Sequence, residues 1–215
     1  MSLRFWMILL VAVGLTEAAD AQKSAAVLAA EQHLRSFTTE TAFAGDDLAD
    51  LFASDQYDDR RSGATMVYLV QRHNGIEIHG AIAPVAVLPS GKTIGLSPRR
   101  YVSGLAGRAV AQEPQIAPEA AESAAFEHTR GLDTHSHDHG GTPIRSDDPA
   151  LDGHDHEAVT PRSLVPPRLV YQPTPDGALR LAWSVQYETV GGPMEMWAVR
   201  VDALTGEVLA ADDLV

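Results

Sequence analysis

The chain reads as an α+β protein, and three observations predict it. Two regions alternate apolar and polar residues with the period of two of a half-buried strand, most cleanly within residues 176–209. Turn residues separate the alternating runs: Asn74-Gly75 and Ser90-Gly91 in the first half, Val190-Gly191-Gly192-Pro193 in the second. An alanine-rich segment with helical spacing precedes each set of strands.

The first 21 residues have the layout of a secretory signal and stand apart from the fold. Arg4 gives a positive start, Phe5 to Leu15 an apolar run of 11 residues, and Ala19-Asp20-Ala21 a small-x-small cleavage site before Gln22. A run of that length is too short for a membrane span, which takes about 20 residues of helix. The chain has no cysteine, which excludes a lipoprotein anchor and any disulfide framework. Without Arg4, Glu17 and Asp20, the 16 basic and 29 acidic residues become 15 and 27, a net charge near −12. So acidic a balance argues against nucleic acid as a partner, because phosphate neutralisation needs clustered Lys and Arg. The expected destination is secreted or periplasmic, with no membrane attachment after cleavage.

Ser24 to Phe37 places Val27, Leu28, Glu31, Leu34 and Phe37 at three- and four-residue spacings, which predicts a helix. Asp46 to Phe52 predicts a second, short helical turn with its acids at the end the dipole favours. Asp55 to Ser62 reads as a polar loop. Its Asp55, Asp58 and Asp59 lack the glycine and ordered oxygen spacing of a calcium site, so solvation explains them. Strands are predicted at 66–72, 76–82, 84–89 and 92–96, which makes the first half a helix packed on a twisted antiparallel sheet. His73 and His79 flank one turn without a third ligand nearby and read as surface histidines.

Pro114 to Glu119 opens a further helix, with Pro118 tolerated in the first turn and Gly131 as a natural stop. Ile116, Ala120 and Ala124 form a narrow small-residue face for packing on a sheet, while Glu119 and Glu122 read as solvating carboxylates. Strands are expected from Leu169 onward. Leu179, Leu181, Trp183, Val185 and Tyr187 fall on one face and Arg180, Ser184, Gln186 and Glu188 on the other. Trp197, Val199 and Val201 repeat the pattern against Arg200 and Asp202. Asp202 to Gly206 forms a turn before Glu207-Val208-Leu209 returns, with Asp202 and Thr205 closing it through side-chain to backbone hydrogen bonds. Trp183 and Trp197 read as core residues.

The line Trp197-Ala-Val199-Arg-Val201-Asp202-Ala-Leu-Thr205-Gly206-Glu-Val208 resembles the ending of PepSY-type modules in the pro-regions of secreted metallopeptidases. Val67-Tyr68-Leu-Val-Gln71-Arg-His-Asn-Gly75-Ile-Glu-Ile78, with a Gly91 turn further on, resembles the fungalysin/thermolysin propeptide (FTP) domain. Together the resemblances cover residues 25–131 and 160–215 and imply two small units, each a helix on an antiparallel sheet. The implied layout is an FTP-like unit at 22–110 and a PepSY-like, cystatin-like unit at 111–132 and 160–215, its helix laid across three strands. As a whole the chain resembles the pro-region of fungalysin-type (M36) zinc metallopeptidases without the peptidase. The implied role is that of an inhibitor or folding assistant, and the implied partner a secreted zinc metallopeptidase catalytic domain, in trans or from a split precursor. Tyr68, Gln71, Gly75 and Gly91 carry the first match; Trp183, Trp197, Asp202, Thr205 and Gly206 carry the second.

Residues 133–159 depart from that pattern. His135, His137 and His139 alternate, and His154 and His156 repeat the spacing after a stretch rich in Asp, Gly and Pro. A disordered insert is expected, because a defined metal site needs ligands held by a scaffold. Loose binding of Zn, Ni or Cu is the alternative use of these imidazoles, and would make the chain an exported metal buffer. No cofactor is required by the first reading. Neither is an enzyme expected: the only His-Glu pair, His156-Glu157, has no second histidine three residues on, so the H-E-x-x-H zinc site of thermolysin-like peptidases is absent. No Gly-x-Ser-x-Gly elbow or Walker loop occurs either.

Overall fold

The computed structural model describes residues 23–36, 43–95, 100–109, 113–133, 160–190 and 194–215. The expected signal segment and the five histidines His135, His137, His139, His154 and His156 lie outside these residues. Helix α1 spans Ala25–Ser36, and a 3-10 turn spans Gly45–Leu48. Strands β1 (Leu51–Asp58), β2 (Thr65–His73), β3 (Ile76–Val87) and β4 (Thr93–Gly95) follow, then the short α2 (Leu105–Arg108) and the long α3 (Pro118–Asp133). Strands β5 (Thr160–Pro173), β6 (Leu179–Val190), β7 (Met196–Asp202) and β8 (Val208–Asp213) complete the fold.

All eight strands join one sheet in the order β1-β2-β3-β5-β6-β7-β8, with β4 beside β3. The architecture is α+β: two antiparallel meanders meet where β3 and β5 run parallel, at Glu77–Val170 and Ile78–Tyr171. Each meander carries a helix, and alternation along β6 puts both helices on the same face. Leu179 and Leu181 join the cluster that holds Val27, Ala30 and Leu34 of α1, while Val185 and Tyr187 pack on Ala121 and Ala125 of α3. Trp183 lies between and touches both clusters.

Several local expectations change. Asp46–Phe52 is not a helix beyond its 3-10 turn, because its carboxylates are committed elsewhere. Asp47 accepts the amides of Ala44, Gly104 and Leu105, and Asp50 accepts Arg72 and the amide of Gly75, which draws the chain out into β1. Part of the expected loop at 55–62 is therefore strand. β1 is an edge whose side chains are mostly exposed on both faces, and a bulge between Ala53 and Asp55 breaks its alternation. Residues 76–82 and 84–87 form a single strand. Pro84 sits between the parts of β3 paired with β5 and with β4, an edge-like place of the kind that tolerates proline.

The second meander has four strands, β5 to β8, where the resemblance implied three, and β5 begins at Thr160, ahead of the expected Leu169. Pro161, Pro166 and Pro167 argue against a strand in sequence, yet here β5 has β6 on one side only, and its two register shifts lie in this stretch. The buried face of α3 is Ala121, Ala125 and Thr129, one residue out of step with Ile116, Ala120 and Ala124; Ile116 precedes the helix and Ala120 is exposed. α3 also runs past Gly131 to Asp133. In β7 both faces are covered, so Arg200 and Asp202, expected on a polar face, are 2% and 1% exposed. Among the described residues no helix is long and apolar enough to cross a membrane.

Candidate interaction surface

Among the residues singled out by sequence, Gln71 and the Asp202 turn anchor two structural hubs. Gln71, fully buried on β2, donates from Nε2 to the carbonyls of Asp47 (2.9 Å) and Val102 (2.7 Å) and accepts the Val102 amide at 2.8 Å. It clamps the segment before α2 and the 3-10 turn onto the sheet. Tyr101 completes the clamp by donating to the Leu69 carbonyl at 2.7 Å, and burial pushes its phenol far above the usual range. Gly75 (φ 79°) and Gly91 (φ 81°) take left-handed turn positions that a side chain would strain. Tyr68 lies on the opposite face, its ring 6.2 Å from that of Tyr57.

The second hub is the β7–β8 turn. Asp202 Oδ1 accepts the amides of Leu204 and Thr205, both at 2.8 Å, and Arg180 Nε reaches Oδ2 at 2.6 Å. Burial pushes the Asp202 carboxyl up, but the Thr205 and Leu204 amides and Arg180 outweigh it and hold the group below its ordinary value. Thr205 Oγ1 accepts the Glu207 amide, closing the turn as expected. Gly206 has φ 81°, and a Cβ there would stand 3.0 Å from Ile116 Cδ1. Trp183 Nε1 donates to the Ile116 carbonyl at 2.9 Å, so the turn and the approach to α3 are fixed together; Trp197 is buried at 9% exposure. Sequence patterns found both hubs but not Asp47 or Arg180: beyond the neighbouring Ala44, the partners of Asp47 lie 24, 57 and 58 residues away, and those of Arg180 lie 22 and 27 residues away.

His73 and His79 have different surroundings. His73 packs edge-on against Tyr171, and His79 is half-buried, its imidazole pKa lowered by burial and by the Arg200 charge. Among the described residues no group of three or more His, Asp or Glu side chains is placed to hold a metal. Asp58 and Asp59 are occupied locally, by Thr65 and by the backbone of Arg61 and Ser62.

Among the described residues two surfaces stand out. One is the face of the first meander opposite α1, where Tyr57, Met66, Ala86 and Ile94 align across four strands and Phe52 lies under the Arg72 guanidinium at 4.9 Å. The other is a groove of about 450 Å³ between α3 and the start of β5. Its floor is Val185 and Tyr187 of β6, its β5 wall Pro161 and Ser163, and its helix wall the stripe Glu119, Glu122, Ser123, Phe126 and Glu127. These spacings of three and four residues put the five side chains on one side of α3. Phe126 meets Tyr187 edge-on at 5.9 Å, and the Tyr187 hydroxyl is hydrogen-bonded to Thr129 Oγ1 beneath it. Ser163 Oγ donates to Glu122 at 2.8 Å across the groove. Sequence reading took Glu119 and Glu122 as plain solvation, because the opposite wall arrives from a strand 41 residues on.

No family model and no curated protein matches the chain. Among solved structures it is similar to the Bacillus megaterium YpeB C-terminal domain, at 12% identity, 90% coverage of this chain and 67% of that one, with a TM-score of 0.38.

Proposed function

We propose that this chain is an exported pro-region-type module, FTP-like then PepSY-like, that inhibits or assists the folding of a secreted fungalysin-like (M36) zinc metallopeptidase and is not itself an enzyme. The observation that carries the reading is the line Trp197 to Val208: every polar residue of its Asp-x-x-Thr-Gly turn has a structural task, and Asp202 ties it to β6 through Arg180. The second support is the FTP-like line, whose Gln71 and Gly75 hold the turns around β2. A module of this kind acts by burying peptidase surface, about 1,200–2,000 Å² in total for specific docking. Binding only the folded catalytic domain also stabilises it by mass action.

The test is inhibition of a fungalysin-type peptidase from the same organism, titrated with residues 22–215 and with a version lacking 133–157. Saturable inhibition by both forms supports the pro-region role; no inhibition by either, from chains with a folded circular dichroism spectrum, refutes it. The histidine run His135, His137, His139, His154 and His156 favours the second reading, an exported metal buffer. A tight stoichiometric Zn or Ni isotherm that disappears on deleting 133–157 selects it.

A further inference from the structure

We infer that the groove between α3 and β5 is a docking slot for an extended, lysine- or arginine-bearing segment of a partner polypeptide. This deepens the proposed function, since it names the surface by which the chain grips its partner. Glu119, Glu122 and Glu127 stand along one wall, and Arg130, 3.4 Å from Glu127, is the cation paired with any of them among the described residues. Arg162, on the adjacent strand, is committed to Glu188.

The floor beneath the carboxylates is apolar, Val185 and the ring of Tyr187, and Phe126 on the helix wall already carries the Arg130 guanidinium 5.5 Å from its ring centre, the kind of contact a partner's cation would repeat. Lysine and arginine match this arrangement, their methylene stems lying on apolar surface while their heads reach carboxylates. The slot is also open at its side. β3 meets β5 only at Val170 and Tyr171, so the outer edge of the first part of β5 has no neighbouring strand among the described residues. The prolines at 161, 166 and 167 cannot donate there, which discourages a second sheet from adding and leaves recognition to the groove. With a chain charge of −13, an acidic segment is repelled from this wall and a basic one attracted.

The experiment uses residues 22–215 and a fluorescein-labelled Leu-Arg-Leu-Arg-Leu-Arg peptide, with Leu-Glu-Leu-Glu-Leu-Glu as its counterpart. Fluorescence anisotropy measures affinity, and amide shifts in a ¹⁵N spectrum locate the site. Glu119→Gln, Glu122→Gln and Glu127→Gln are combined in one variant. A control, Asp46→Asn with Asp55→Asn and Asp213→Asn, removes the same charge elsewhere. Expected are saturable binding of the arginine peptide alone, shifts at Ser123, Phe126, Ser163 and Val185, and a loss of about tenfold or more in the glutamine variant but not the control.

Equal losses in both variants, absent saturation, or shifts confined to other residues overturn the inference. In the peptidase titration, wild-type inhibition that survives the glutamine changes unaltered overturns the slot and leaves the proposed function standing. If even the wild type fails to inhibit while the peptide still binds in the groove, the proposed function falls and the slot stands.

Discussion

Replacing Gln71 by leucine tests how the first meander is held to the segments packed on it. Leucine has a similar volume, so the change removes hydrogen bonds without opening a large cavity. The Asp47 carbonyl and both backbone groups of Val102 lose their partner in a site where Gln71 is fully buried. At about 2 kcal/mol for each stranded group, less about 2 kcal/mol gained by burying leucine, the net loss is about 4 kcal/mol. Urea unfolding followed by far-ultraviolet circular dichroism reads this directly: with a slope of about 2 kcal/mol per molar, the midpoint falls by about 2 M. Gln71→Glu supplies an independent check. Its carboxylate would face two carbonyl oxygens, so the folded state raises its pKa above the free value of about 4.3 and its stability falls as pH rises through the folded value. A midpoint shift under about 0.5 M for leucine, or a glutamate variant with no pH-dependent penalty relative to wild type, refutes the account of Gln71 as the clamp.

Three further substitutions address the second meander. Asp202→Ala strands two part-buried turn amides and Arg180 and should cost about 2–3 kcal/mol, whereas Asp202→Asn keeps an acceptor and should cost about half as much, as measured by urea unfolding. Because the folded Asp202 carboxyl lies below its ordinary value, its contribution is complete above about pH 4 and is lost as pH falls through the folded value; Asp202→Asn should flatten that part of the acid-unfolding curve. Gly206→Ala forces a side chain into φ 81° and against Ile116, and should lower stability by about 1–2 kcal/mol, with a falling melting temperature as the readout. Trp183→Phe keeps most of the packing but leaves the Ile116 carbonyl without its indole donor, an expected loss of about 1 kcal/mol in the same assay.

The parts of this fold that were legible in sequence are those whose physics is local. β6 alternates cleanly because one face meets both helices, and the Asp202 turn was readable because Leu204, Thr205 and Glu207 lie within five residues of its carboxylate. Gln71 and Gly75 were found through a pattern, but the reason for Gln71 was not visible: its partners are 24 and 31 residues away. β1 was missed because an edge strand with a bulge has no alternation to read, and because Asp46 and Asp47 resemble a helix start while Asp47 in fact caps backbone from residues 104 and 105. The register of α3 slipped by one because alanines at 120, 121, 124 and 125 offer two equally small faces, and Thr129, which continues the buried one, is polar in isolation.

The first half of β5 shows how one misreading hid a surface. The three prolines at 161, 166 and 167 argue against a strand before Leu169, since a central strand cannot lose that many donors. At an edge the same prolines are protective, because a strand that lacks amide hydrogens cannot template another. Once Thr160–Arg168 is strand, Ser163 comes opposite Tyr187, and its hydroxyl reaches Glu122 on α3. Proline therefore does two jobs in this stretch: it keeps the sheet from growing and it leaves a side open beside the acidic stripe. A strand rich in β-branched residues at the same place would invite another strand onto that edge. Replacing Pro161, Pro166 and Pro167 together with valine should thus promote self-association, measured by sedimentation velocity at increasing concentration, while a chain that stays at its wild-type mass would show that the edge is guarded by something other than proline.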